Sequence, residues 1–158
     1  MRIRPAAVED VGVLRTMIRE LAEYEHELHF VTIQEEDLAR DGFGEHPRFR
    51  SLIAEWDDEI AGYALFFGYY STWVGKGLFL EDLFVRESFR GRGVGTALLA
   101  SVARVAVEEN CYGIHWEVLD WNQEAIELYK SLGAVFRDQW RAVLLTDDAL
   151  HRLAEKAL

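Results

Sequence analysis

Between Leu78 and Leu99 the chain reads LFLEDLFVRESFRGRGVGTALL, and no other stretch constrains its fold as tightly. The apolar run up to Val85 has too little alternation for a half-exposed strand, so it predicts a strand buried on both faces. Gly91, Gly93 and Gly95 then follow at alternate positions, and a helical apolar pattern starts at once. Glycine admits positive φ and lets a ligand approach the backbone, while a helix start offers unpaired N–H groups and partial positive charge. With Arg90 and Arg92 beside it, the loop has the chemistry of a phosphate seat. Taken alone it fits a plain glycine-rich turn as well. The spacing is not the G-x-G-x-x-G of a dinucleotide fold, and no Gly-Lys-Ser/Thr follows as in a nucleotide-triphosphate loop.

Around this stretch the chain reads as one domain, residues 1–158, without repeats or linker-like tracts. MRIRPA is a short strand ending at Pro5. Val11, Leu14, Met17, Ile18 and Leu21 recur at helical spacing. A second helix is expected after Thr32, with Glu35 completing a capping box, and Gly42 ends it. RSLIAEW and IAGYALFFGYY form a hairpin across DDE, and KGLFLEDLFV is a third strand. A helix over about 94–109 precedes a strand GIHWEVL. Asn122 caps a helix QEAIELYKSL that stops at Gly133. AVFRDQWRAVLL supplies closing strands, and a terminal helix ends the chain. This order predicts an α/β (α+β) fold with a mixed, mostly antiparallel sheet flanked by helices.

The formal net charge of −11 argues against a nucleic-acid partner, which demands clustered lysine and arginine. It is compatible with a cationic small molecule, and equally with ordinary solubility. No apolar run reaches the roughly 20 residues of a membrane span. The single cysteine, Cys111, suits a reducing compartment, so a cytoplasmic protein is expected. His26 and His29 in HELH lack metal-site spacing, and no metal is expected. The aromatic run Phe66 to Tyr70 reads as strand packing or a dimer surface.

The strand, R-G-x-G-x-G, helix and N-x-x-A-x-x-x-Y-x-x-x-G-A arrangement resembles the GNAT superfamily of acetyl-coenzyme A-dependent N-acetyltransferases. DGFGEHP, YSTWVGKGLFLEDLFV, FRGRGVG and VLDWNQEAIELYKSLGA are similar to the diamine (spermidine/spermine) N-acetyltransferases and their thialysine Nε-acetyltransferase relatives. The similarity runs from about residue 2 to residue 145, and YSTW and VLDWNQ look more like the thialysine branch.

The resemblance implies acetyl-coenzyme A as cosubstrate, with its pyrophosphate on the N–H groups of Arg90, Gly91, Arg92, Gly93, Val94, Gly95 and Thr96. It implies that the pantetheine arm bonds along the backbone of Leu83, Phe84 and Val85, with Asn122 and Tyr129 also at the cofactor. That requires the strand carrying HWEVL to splay away, which the sequence does not show. An aliphatic amine, with a pKa of about 10, must lose a proton before it attacks. Glu81 is the expected base, directly or through water, with burial raising its pKa. Asp82 would face the opposite side of a regular strand. Tyr129 is placed by the family motif to protonate the leaving sulfur; as a bare residue it fits core packing with Ile126 and Leu132 as well.

Glu25 and Asp82, with Glu81, match acidic positions expected to bind a cationic acceptor, and Trp73 would wall its aliphatic chain. Where the polyamine enzymes carry Asp-Pro before this tryptophan, the chain has Ser71-Thr72. One carboxylate is thereby lost, and a short diamine or lysine-like amino acid becomes as good a fit as a long polyamine. The resemblance also implies a homodimer. Two other functions on the same fold compete with small-amine transfer: a non-catalytic acyl-coenzyme A-binding module, and a protein or peptide N-acetyltransferase.

Overall fold

Asp57 and Asp58 both take positive φ, 48° and 66°. Such a two-residue turn matches the twist of the strands it joins, here β2 (Arg50–Trp56) and β3 (Glu59–Ser71). A second hairpin, turning through Gly75 at φ 95°, brings β4 (Gly75–Val85) against β3. β1 (Arg2–Pro5) adds antiparallel to β2, and β5 (Ile114–His115) adds parallel to β4. The sheet order is therefore β1-β2-β3-β4-β5, mixed and mostly antiparallel as the sequence predicts. The structure, a computed structural model, describes residues 1–157.

α1 (Val11–Tyr24) covers one face of this sheet, its Leu14 and Met17 packing with Ile53, Tyr63, Leu65 and Phe84. α2 (Glu35–Phe43) lies against α1. α3 (Val94–Glu108) packs on β3 and β4 from the other side, burying Val94, Leu98, Leu99, Val102 and Ala106. These elements belong to the first of two compact units, Met1–Glu117. The second, Val118–Leu158, holds α4 (Gln123–Ser131) and α5 (Asp147–Ala154). Among the described residues no helix is long and apolar enough to cross a membrane.

Three local expectations change. The cap of α2 is Gln34, whose N–H donates to Asp37 Oδ2 at 3.1 Å, so the box lies two residues beyond Thr32 and Glu35. The strand expected over GIHWEVL shrinks to Ile114–His115. AVFRDQWRAVLL forms no strand among the described residues. Strand propensity alone makes no strand: the segment needs a neighbour to pair with. Val135, Val143 and Leu144 in it are exposed.

Candidate active site

Pairing between β3 and β4 slips by one residue midway. Leu65 stands opposite Asp82 and Phe66 opposite Leu80, so Glu81 is an extra residue in β4. A bulge of this kind re-aims the side chains after it. Without it Asp82 would lie on the face of Leu78 and Leu80; with it Asp82 joins Tyr63, Leu65 and Phe84 on the α1 face. The expectation that Glu81 and Asp82 split between two regular faces therefore fails. Gly62 tolerates the close approach of β4 here, because a Cβ would strike the Phe84 carbonyl oxygen.

The two carboxylates have different surroundings. Glu81 is exposed, where burial was expected. Asp82 is half-buried and accepts a hydrogen bond from the Tyr63 hydroxyl at 2.8 Å. Burial pushes the Asp82 carboxyl up to about 6; the Tyr63 hydrogen bond opposes that, and the charges of Glu81 and Glu25 add to it. Glu25 ends α1, and its own carboxyl is raised, first by burial and then by Glu27. Burial and Asp82 together raise the Tyr63 phenol well above its ordinary value. Glu25, Glu81 and Asp82 thus form one acidic cluster around a buried phenol. Tyr63 was not picked out from sequence, although a tyrosine at an inward strand position needs a partner for its hydroxyl.

On its other edge, β4 pairs with β5 only at Leu78 and Phe79, then runs on to Val85. Beyond Phe79 this edge of β4 carries no strand pairing among the described residues. Arg86 N donates to Ala61 O at 2.9 Å. Alternation along the ladder then directs Phe84 and Asp82 to β3, and Leu83 and Val85 to the edge away from it. Directly beyond lies the glycine loop. Gly91 and Gly93 adopt φ of 69° and 80°, with open space where a Cβ would project, and Gly93 caps α3. Arg90 donates through Nε to the Val85 carbonyl at 3.1 Å, and its guanidinium lies 4.6 Å from the Tyr24 ring centroid. Arg92 lies over Trp56 and Phe89.

In the second unit, Asn122 caps α4 as expected, its side chain accepting from Ala125 N at 3.3 Å. Gly133 follows that helix at φ 83°, with Ala134 N bonded to Tyr129 O. Tyr129 is buried. Trp73 stands apart from the acidic cluster. It is 80 % exposed at the tip of the β3–β4 hairpin. At about 3.3 Å per strand residue, Gly75 beside it already lies roughly 20 Å along β4 from Asp82.

Residues 14–134 match the acetyltransferase (GNAT) family. The chain belongs to the GNAT acetyltransferases. Among its relatives, this acetyltransferase is 42% identical to the thialysine N-epsilon-acetyltransferase of Mus musculus, over 97% of this chain and 96% of that one. It is 41% identical to the Sus scrofa protein of the same name, over 98% and 97%. Among solved structures, an integron cassette protein from V. cholerae superposes with a TM-score of 0.80 at 26% identity, covering 98% of both chains. The family implies acetyl-coenzyme A, and the acetyltransferase has backbone suited to it. Leu83 and Val85 present amides to an unpaired strand edge, where an extended amide-bearing arm can add like a strand. The N-terminus of α3, with two positive-φ glycines and no side chain in the way, suits a pyrophosphate.

Proposed function

We propose that this protein transfers the acetyl group of acetyl-coenzyme A directly to a primary amine of a small cationic acceptor, a diamine or a thialysine- or lysine-like amino acid. The acidic cluster of Glu25, Glu81 and Asp82 carries this reading, because it is built to attract ammonium groups. Its high identity to thialysine acetyltransferases along nearly the whole chain supports the choice of acceptor.

Acetyl-coenzyme A supplies the activated acetyl thioester when bound. Leu83 and Val85 hold its amide-bearing arm, and residues 90–96 hold its pyrophosphate, with Asn122 and Tyr129 also at the cofactor as the family motif implies. Phe84 contributes from its side chain's packing, since its backbone faces β3. Asp82 and Glu25 grip the acceptor's cationic groups. Glu81, exposed and next to Asp82, takes the proton from the attacking nitrogen, directly or through a water molecule. Tyr129 donates a proton to the departing sulfur from its hydroxyl. Trp73 lines the acceptor only if a second copy brings it there. Residues 1–158 work as a single transferase domain, as a homodimer and in the cytoplasm, where the lone thiol Cys111 is at home.

A thiol-release assay over spermidine, spermine, putrescine, lysine and thialysine tests the reading. Thialysine or a short diamine should be turned over best, and peptides should not compete. Glu81→Gln and Tyr129→Phe proteins should still bind acetyl-coenzyme A while turning over about 100-fold or more slowly. Binding without thiol release across the whole panel would instead mark a non-catalytic module.

A further inference from the structure

Tyr63 has no exposed surface and sits among Leu14, Met17, Ile53, Leu65 and Phe84. A phenylalanine would fill that space and ask for no polar partner. The chain instead buries a hydroxyl there and satisfies it with Asp82 Oδ2 at 2.8 Å. As a stability device this is poor. A carboxylate at the edge of an apolar core, with two further carboxylates facing it, costs free energy that a plain apolar pair would not. The bulge at Glu81 is what turns Asp82 to this face. Two departures from a simple core, the hydroxyl and the bulge, thus converge on one carboxyl oxygen.

We propose that Tyr63 is a positioning residue for the acceptor: its core-anchored hydroxyl holds one oxygen of Asp82 and so presents the other to the incoming ammonium group. This rests on the reading above that Asp82 grips the acceptor. Held from below, Asp82 does not have to give up rotamer freedom when the amine arrives, and the preorganisation appears as acceptor affinity. The titratable groups facing Asp82 are Tyr63 from β3, Glu81 beside it on β4, and Glu25 from the end of α1. Glu81 and Glu25 disfavour its ionised form, and the Tyr63 hydrogen bond is what favours it. Removing that bond therefore moves the Asp82 titration upward, away from its value of about 6.

The test is Tyr63→Phe, which keeps the ring and deletes the hydroxyl. Steady-state rates with thialysine and acetyl-coenzyme A are followed from pH 5.5 to 9, and the Asp82 carboxyl is titrated directly by carbon-13 NMR. The KM for thialysine should rise about tenfold or more near neutral pH, as for loss of a hydrogen bond to a charged group. The KM for acetyl-coenzyme A should not move. The acid limb of kcat/KM for thialysine and the Asp82 titration should shift upward together. In an Asp82→Ala background, which lacks both the carboxylate and the hydrogen bond, Tyr63→Phe should add no further loss in the KM for thialysine. An unchanged acid limb, or an equal loss toward both substrates, would overturn the positioning role. If the wild-type protein acetylated no amine while its Asp82 titration still moved in Tyr63→Phe, the transferase reading and the acceptor role would fall, and the Tyr63–Asp82 coupling alone would stand.

Discussion

Phe79 opposite His115 is the last paired position between β4 and β5, and beyond it the Leu83 and Val85 amides on that edge have no strand partner among the described residues, while the Val85 carbonyl accepts from Arg90. The ladder to β3 sorts the amides that follow. Phe84 is turned to β3, and Leu83 and Val85 are turned away. Acetyl-coenzyme A should therefore slow amide hydrogen exchange at Leu83 and Val85 and leave Phe84 unchanged, since Phe84 is protected already. Residue-resolved exchange by NMR, with and without the cosubstrate, checks this. Equal protection of all three amides would place the arm elsewhere.

The glycine loop makes a prediction that separates the two substrates. Gly93 has φ 80° and open space where a Cβ would stand. Gly93→Ala meets no protein atom, so its cost to folding is the left-handed backbone alone, about 1–2 kcal/mol. With the pyrophosphate seated as proposed, the new methyl group would stand where the phosphate approaches the N–H groups of α3. The KM for acetyl-coenzyme A should rise by roughly an order of magnitude, as for loss of a charge-assisted hydrogen bond. The acceptor KM should stay put. Initial-rate kinetics with each substrate varied in turn decide it.

Asp82 makes a prediction about stability whose sign is fixed by its environment. Folding raises its carboxyl from 3.8 to about 6, so the folded state disfavours the ionised form. Below about pH 4 the group is protonated in both folded and unfolded chains and costs nothing. The penalty grows as pH rises toward 6 and is fully present above it, at most roughly 3 kcal/mol at about 1.4 kcal/mol per pH unit. Asp82→Asn should accordingly stabilise the fold at pH 8, and the gain should vanish near pH 4. An asparagine oxygen can still accept from Tyr63, so that hydrogen bond survives. Denaturant unfolding at the two pH values measures the difference. A gain of the same size at both would show that the charge is not its source.

The parts of this site that were legible in the sequence are those set by local chemistry. Gly91 and Gly93 admit the positive φ that the loop takes, and Asn122 caps its helix through an atom on its own side chain. The unread parts depend on a partner strand. Nothing in LFLEDLFV says that Phe66 pairs with Leu80 and Leu65 with Asp82, so the bulge, and with it the facing of Asp82 toward Tyr63, lies in the pairing between strands. The same holds for residues 114–119 and 134–145, whose β propensity becomes strand only beside a neighbour. Trp73 was expected to wall the acceptor's aliphatic chain, yet most of β4 separates it from Asp82.

Arg86 straps the two sides of the site together. Its guanidinium takes both oxygens of Glu20 on α1, at 2.9 and 3.0 Å, and donates to the Ile60 carbonyl at 3.0 Å. Its own backbone N–H closes the β3–β4 ladder at Ala61. One side chain thus ties the helix that ends in Glu25 to the strand that carries Asp82 and Val85. A bidentate, part-buried pair loses less to solvent than a single surface contact. Glu20→Gln should lower stability by about 1 kcal/mol and weaken the acceptor more than acetyl-coenzyme A, because α1 brings Glu25 and the strap is what holds α1 down. Arg86 keeps its bond to Ile60 in that variant, so β4 itself stays anchored. In an Arg86→Gln background the same substitution should cost markedly less, and a double-mutant cycle on denaturant midpoints reads the coupling. Strict additivity of the two substitutions would show that α1 is held to the sheet by its apolar face alone.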